Sequence, residues 1–180
     1  MSADAGDDLA TRIEAGLDIP EERRLDFLAG LPSRGTVVTL EGLLLRQLAG
    51  WRPDLATMTL GEALLRRPAV AQRLKPDDLL VIDSRGFHTS HPRLVKFYDT
   101  LRAQTGCETN LDLQRVAIPT GAVSLQARMG VGDHSIGEQI RWIMEGRRAR
   151  RVVVEAVEDL GAFRQHSDLP VCHLAELNDG

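Results

Sequence analysis

Residues 79–92 read LLVIDSRGFHTSHP, and this stretch decides the fold class. Leu79, Leu80, Val81 and Ile82 form an apolar run with no polar break. A short bounded run of that kind is expected as a strand buried on both faces. It ends at Asp83. A polar segment with Arg85, His88, Ser90 and His91 follows and is read as a loop. Pro92 then opens a helix over 92–104, with Leu94, Val95, Phe97, Tyr98 and Leu101 at helical spacing and Gly106 as its stop. Strand, loop and helix together make the first part of a βαβ unit.

The rhythm continues outward from there. A strand is expected over 114–118, then a long loop, then a helix over 136–145 carrying Ile136, Ile140, Ile143 and Met144 on one side, stopped by Gly146. RVVVEA at 151–156 is a further buried strand, 158–164 a short helix and 171–174 a last short strand. Upstream, TVVTL at 36–40 is β-branched and reads as a strand. Leu43, Leu44, Leu45 and Leu48 fit a helix, although TVVTLEGLLL also reads as one longer strand. Thr59 and Glu62 have capping-box spacing before Leu60, Ala63 and Leu64. A short helical piece at 69–74 leads to a turn at Lys75-Pro76-Asp77-Asp78.

Strands alternating with helices of ten or more residues imply parallel βαβ units. The expected fold is α/β: a small three-layer open sheet, mostly parallel, of four to five strands, Rossmann-like or flavodoxin-like. Residues 1–7 are expected as a disordered acidic tail. Residues 8–180 are expected as one domain, with 8–34 a helical N-terminal segment of two short helices.

Composition bounds the function classes. The chain has 180 residues, 43% hydrophobic and 27% charged, as in ordinary globular proteins. Aromatics are only 4%, so Leu, Val, Ala and Ile must build the core. A net charge of -4 gives no global attraction to nucleic acid or to an anionic membrane. Arg147, Arg148, Arg150 and Arg151 make a local basic patch, but at a helix C-terminus cations are favoured without any ligand. No apolar run is long enough to span a bilayer, and MSADAGDD is not a secretory signal. Cys107 and Cys172 lack a CxxC pattern and read as free thiols, with a disulfide between them as the alternative; a cytoplasmic setting is the default expectation.

In an open parallel sheet, ligands sit outside the strand C-termini. That rule makes Asp83, His88 and His91 candidate proton-handling residues, with Arg85 a binder of negative charge; the alternative is that Asp83 caps a turn and Ser90 or His91 caps the helix at Pro92. Residues 119–139, PTGAVSLQARMGVGDHSIGEQ, lead into a helix N-terminus. Gly130, Gly132 and Ser135 there offer backbone donors, Arg128 a charge and His134 an acid or base. The segment has neither a P-loop nor a dinucleotide fingerprint. Ser135 and Glu138 also have capping-box spacing. If the sheet is parallel, Glu155, ending the last long strand, points into the same crevice as Asp83 and His134; the alternative is that Glu155, Glu158 and Asp159 start a helix and complement its dipole.

The expected function is an enzyme binding a small anionic substrate at the strand C-terminal edge. Its acid and base residues would come from the 83–91 and 130–135 loops. The alternative is a non-catalytic interaction or regulatory module that binds a protein partner or forms a homo-oligomer. A metal site of Asp83, His88, His91 and His134 is a weaker third reading, and no motif names a cofactor.

Overall fold

The computed structural model describes residues 3–40, 42–130 and 133–178. Among these, the side chains of residues 3–8, Leu125, Arg128, Asp133, His134 and Asn178 lie outside the description. So do the expectations placed on Gly132 and on the Arg128 and His134 side chains.

Four parallel strands make the main sheet: β3 (Asp78–Val81), β4 (Glu108–Thr109), β5 (Arg151–Val154) and β6 (Val171–His173). Their order is β4-β3-β5-β6. Side chains alternate across the sheet, so each face receives its own helices. Leu80 and Val153 pack with Leu94, Tyr98 and Leu101 of α7 (His91–Thr105). Leu79, Val81, Val152 and Val154 pack with Ile140 and Ile143 of α9 (Asp133–Met144) and Phe163 of α10 (Val157–His166). The fold is therefore the expected three-layer α/β arrangement. Each fully buried Leu or Val contributes about 1.5–3 kcal/mol.

A second parallel sheet pairs β1 (Thr36–Thr39) with β2 (Ala56–Thr59). The β2 strand has no counterpart in the sequence reading. Around this sheet, α1 (Ala3–Glu14), α2 (Glu21–Ala29) and α3 (Gly42–Trp51) bury Leu9, Phe27, Val37, Leu44 and Leu48. The first helix thus begins at Ala3, ahead of the expected start. After β2 come α4 (Leu60–Leu65) and α5 (Pro68–Ala71). Glu14 of α1 is ion-paired with Arg85, which ties this segment to the main sheet.

Three expectations are corrected. The polar loop after β3 is a short helix, α6 (Ser84–Thr89). The Asp83 side chain accepts from the Arg85 N–H at 3.1 Å and caps it, while Phe87 buries its inner face. The strand at 114–118 is absent. Asp112 Oδ1 instead accepts from the N–H groups of Gln114 and Val116, Arg115 adopts φ 62, and the chain turns back so that Leu111 pairs antiparallel with Ala117. The apolar run Val116-Ala117-Ile118 is real, but it fills the core from a return loop rather than from the ladder. Finally, Ser135 does not cap its helix, because α9 already begins at Asp133. The other proposed box is half made: Thr59 accepts from the Glu62 N–H at 3.2 Å, but the Glu62 carboxylate turns to Arg66 and Arg93.

Candidate active site at the strand C-terminal edge

The chain leaves β3 through α7 on one face and reaches β4. It then crosses back to β5 through α8 (Leu125–Arg128) and α9, and leaves β5 through α10 on the opposite face. Between β3 and β5 the connections diverge, which opens a crevice at their C-terminal ends. Asp83 follows β3 and Glu155 follows β5, so the two acids arrive at the point of divergence. A pocket of about 220 Å³ lies there, lined by Leu40, Thr59, Gly61, Asp83, Glu155 and Glu158 among others. Arg85 and Val123 line a small adjoining cleft that shares Leu40, Asp83 and Glu158 with it.

Glu155 is the centre of the site. It is 5% exposed. Its Oε2 accepts from the Asp83 main-chain N–H at 3.0 Å, and the Tyr98 hydroxyl donates to Oε1 and Oε2 at 2.8 and 3.0 Å. Its main-chain oxygen accepts from His173 Nε2 at 2.9 Å. The tautomer follows from the other ring nitrogen, Nδ1, which accepts from the Ala175 N–H. Burial drives the Glu155 carboxyl from 4.5 to about 8, and the Asp83 N–H and Tyr98 hydroxyl offset this only in part. Nearby Asp83 and Glu62 push the same way as burial. Glu155 is therefore a carboxylic acid at neutral pH, able to donate its proton.

Burial also raises Asp83, against the pull of the Gly86 and Arg85 N–H groups. Asp159, in the first turn of α10, rises to about 7 by burial although it accepts a hydrogen bond from Thr120. Glu62 is fully buried but keeps two guanidinium partners, Arg66 at 2.7 Å and Arg93 at 2.9 Å.

Two glycines let these groups meet. A Cβ on Gly61 would lie 2.7 Å from Glu155 Oε2, and one on Gly42 would lie 2.2 Å from the Gly86 nitrogen. Gly61→Ala is expected to displace the Glu155 carboxyl and to destabilise the protein by about 1–3 kcal/mol. Denaturant unfolding checks this; a loss as small as an ordinary surface substitution would show that the cradle is loose.

The structure brings together Asp83, Arg85 and Glu155 of the expected site residues. It does not bring in the two histidines. His88 Nε2 lies 3.1 Å from the Ala117 carbonyl and His91 Nε2 lies 3.2 Å from that of Arg115, so both rings hold the return loop. They stack with centroids 6.5 Å apart and flank Phe87 edge-on. Gly130 and Ser135 are exposed and do not line the pocket. Among the described residues, no group of three or more His, Cys, Asp or Glu is placed to hold a metal ion.

The basic patch is largely occupied by local contacts. Arg151 is bidentate to buried Asp78, Arg147 faces Glu108, and Arg150 lies 4.0 Å from Asp77. It sits where β5 begins, at the opposite edge from the pocket.

Tyr98 and Gly61 were missed by sequence reading. Tyr98 looked like one more apolar residue of a helix stripe. It is, however, the chain's single tyrosine, and a buried phenol needs a partner. No local signal marks Gly61.

Comparison with protein-family models, curated proteins and solved structures gave no match to this chain.

Proposed function

We propose that the pocket between β3 and β5 is an acid–base site for a small molecule, with Glu155 as proton donor and Asp83 as its neighbouring carboxyl. One observation carries the reading: a buried carboxyl, lifted to about 8, lies in a pocket at the point where the sheet's connections diverge. In the transfer, the Glu155 O–H bond breaks and its proton passes to a basic atom of the ligand. The electron pair stays on the carboxylate, where the Asp83 N–H and Tyr98 hydroxyl hold the charge. A hydrolase, lyase or transferase would use such a step. The strand order, counted from β3, is that of a flavodoxin-like sheet without its last strand, which supports the Rossmann-like assignment.

At about 220 Å³ the pocket is smaller than sites for drug-sized ligands, which start near ~300 Å³. Its polar lining is rich in oxygen: Asp83, Glu155, Glu158 and Thr59. The neighbouring cation, Arg85, is engaged by Glu14. This lining favours a molecule whose proton-accepting atom is a neutral base and whose other groups, neutral or cationic, offer hydrogen-bond donors. Among the described residues, Arg85 in the adjoining cleft is the cation placed to serve an anionic group on the ligand. Both cysteines are free thiols, in keeping with a cytoplasmic setting.

Backbone-amide NMR with small probes tests the site. Methylamine, guanidine and urea are expected to give saturable shifts at Gly61, Asp83 and Glu158, with acetate and inorganic phosphate weaker by about tenfold or more. Absence of saturable shifts at these amides, or shifts confined to the groove between α9 and α10, would overturn the reading.

A protein partner is the second reading, and one observation favours it. Trp142 is 56% exposed and lines two open grooves. Met129 and Leu113 are also exposed. The N-terminal segment, 8–34, exposes only Leu17 and Leu25 as large apolar side chains among those described. No described helix is long and apolar enough to cross a membrane.

A further inference from the structure

Tyr98 reaches Glu155 from the core side. It is 1% exposed, on the face of the sheet covered by α7, and its ring is fixed by Phe97 and Phe87 at centroid distances of 5.1 and 5.9 Å. Its hydroxyl donates to both oxygens of the carboxyl, while Oε2 also accepts from Asp83 and borders Gly61 on the pocket side. A buried carboxylate needs donors, and here one comes from the pocket wall and one from the core.

We infer that Tyr98 is the positioning residue of the Glu155 acid: its hydroxyl holds the carboxyl turned to the pocket and stabilises the carboxylate left after proton transfer. The inference rests on the acid–base reading of the pocket, but it is tested separately. Tyr98 does not line the pocket and is not itself a proton donor to the ligand. Its own ionisation is pushed well above the usual phenol range by burial and by Glu155.

The groups that face Glu155 set its titration. Asp83 at the start of α6 and Glu62 of α4 oppose its ionisation, with Glu62 in turn held by Arg66 and Arg93. Glu158 and Asp159 lie on the adjoining turn of α10. His173 of β6 is satisfied by two backbone groups and meets only the Glu155 main chain.

Because the chain has one tyrosine, labelling tyrosine with ¹³C at Cζ marks Tyr98 alone. In the folded 180-residue chain, the Cζ resonance is expected to shift in one step with a midpoint at about 8, as Glu155 loses its proton. Glu155→Gln is expected to abolish the step. A flat resonance, or the same step in Glu155→Gln, would overturn the inference.

Should Glu155→Gln fail to fold, Tyr98→Phe provides the second arm, followed through the infrared carbonyl band of protonated Glu155. Its midpoint is expected to move upward by about one pH unit, since a donor to the carboxylate is lost. A merely structural tyrosine would lower stability and leave that midpoint in place, and an unmoved midpoint would overturn the inference. A tyrosine step without probe binding would remove the ligand site and keep the Tyr98–Glu155 pair. Probe binding without the step would do the reverse.

Discussion

Glu155→Gln is expected to make the protein more stable above neutral pH, by several kcal/mol, while removing the proposed proton donor. In the unfolded chain this carboxyl ionises near 4.5; in the folded protein it does so at about 8. Between those values the folded chain holds a proton that the unfolded chain has released, so rising pH favours unfolding. The slope is about 1.4 kcal/mol per pH unit for one group. The stabilisation is fully present below the unfolded value and is lost as pH rises through about 8. Across that window the loss is on the order of 5 kcal/mol. Asp159, raised from 3.8 to about 7, adds a second window of the same sign. The wild-type protein should therefore be most stable in mild acid.

Glutamine keeps an acceptor for the Tyr98 hydroxyl and the Asp83 N–H but cannot ionise. Its stability curve should be flatter than the wild type, with the Asp159 window remaining. Urea unfolding across the acid-to-alkaline range measures both curves, and parallel curves for the two proteins would sink the argument. A site that costs stability is expected wherever a carboxyl must stay protonated in a buried pocket.

Phe87→Ala is expected to cost about 3–5 kcal/mol. Phe87 is 1% exposed and is the buried wedge of α6, touching His88, His91 and Tyr98 edge-on or tilted. Removing the ring leaves a cavity that α6 cannot close. Its backbone is already pressed against Gly42 of α3 and against Asp83 and Thr59. The two imidazoles would lose the ring they flank, and with it their orientation towards the carbonyls of Ala117 and Arg115. Guanidinium unfolding checks the magnitude. A loss under about 1 kcal/mol would mean that the space refills and that α6 is held by its cap and by Gly42 instead.

These two side chains show where reading the sequence succeeds and where it stops. Leu79 to Ile82 and Val152 to Val154 were legible as buried strands because an apolar run with no polar break leaves the chain few alternatives. Asp83 and Glu155 were legible as site candidates because they end those strands. The histidines were misplaced because imidazoles after a strand look the same whether they face a crevice or a carbonyl. The 83–91 segment was misread as a loop because its helical signal is short: an Asp cap, one buried Phe and little else. The 114–118 strand was misread because Asp112, just before it, offers the backbone a turn that competes with the ladder.

The opening stretch, LLVIDSRGFHTSHP, determined by itself that the chain is α/β and that an acid stands at a strand C-terminus. Periodicity and cap chemistry are local, so they survive without a structure. Only the tertiary structure decided which groups that acid meets. Glu155 lies 72 residues from Asp83, and Tyr98 lies 57 residues from Glu155. Their contact depends on the parallel register of β3 with β5, on α7 docking over one face, and on Gly61 having no side chain to fill the space. Strand register and helix docking are long-range outcomes of burying two separate apolar faces. No local propensity encodes them, and it is they that leave Glu155 protonated in a pocket rather than ionised at a surface.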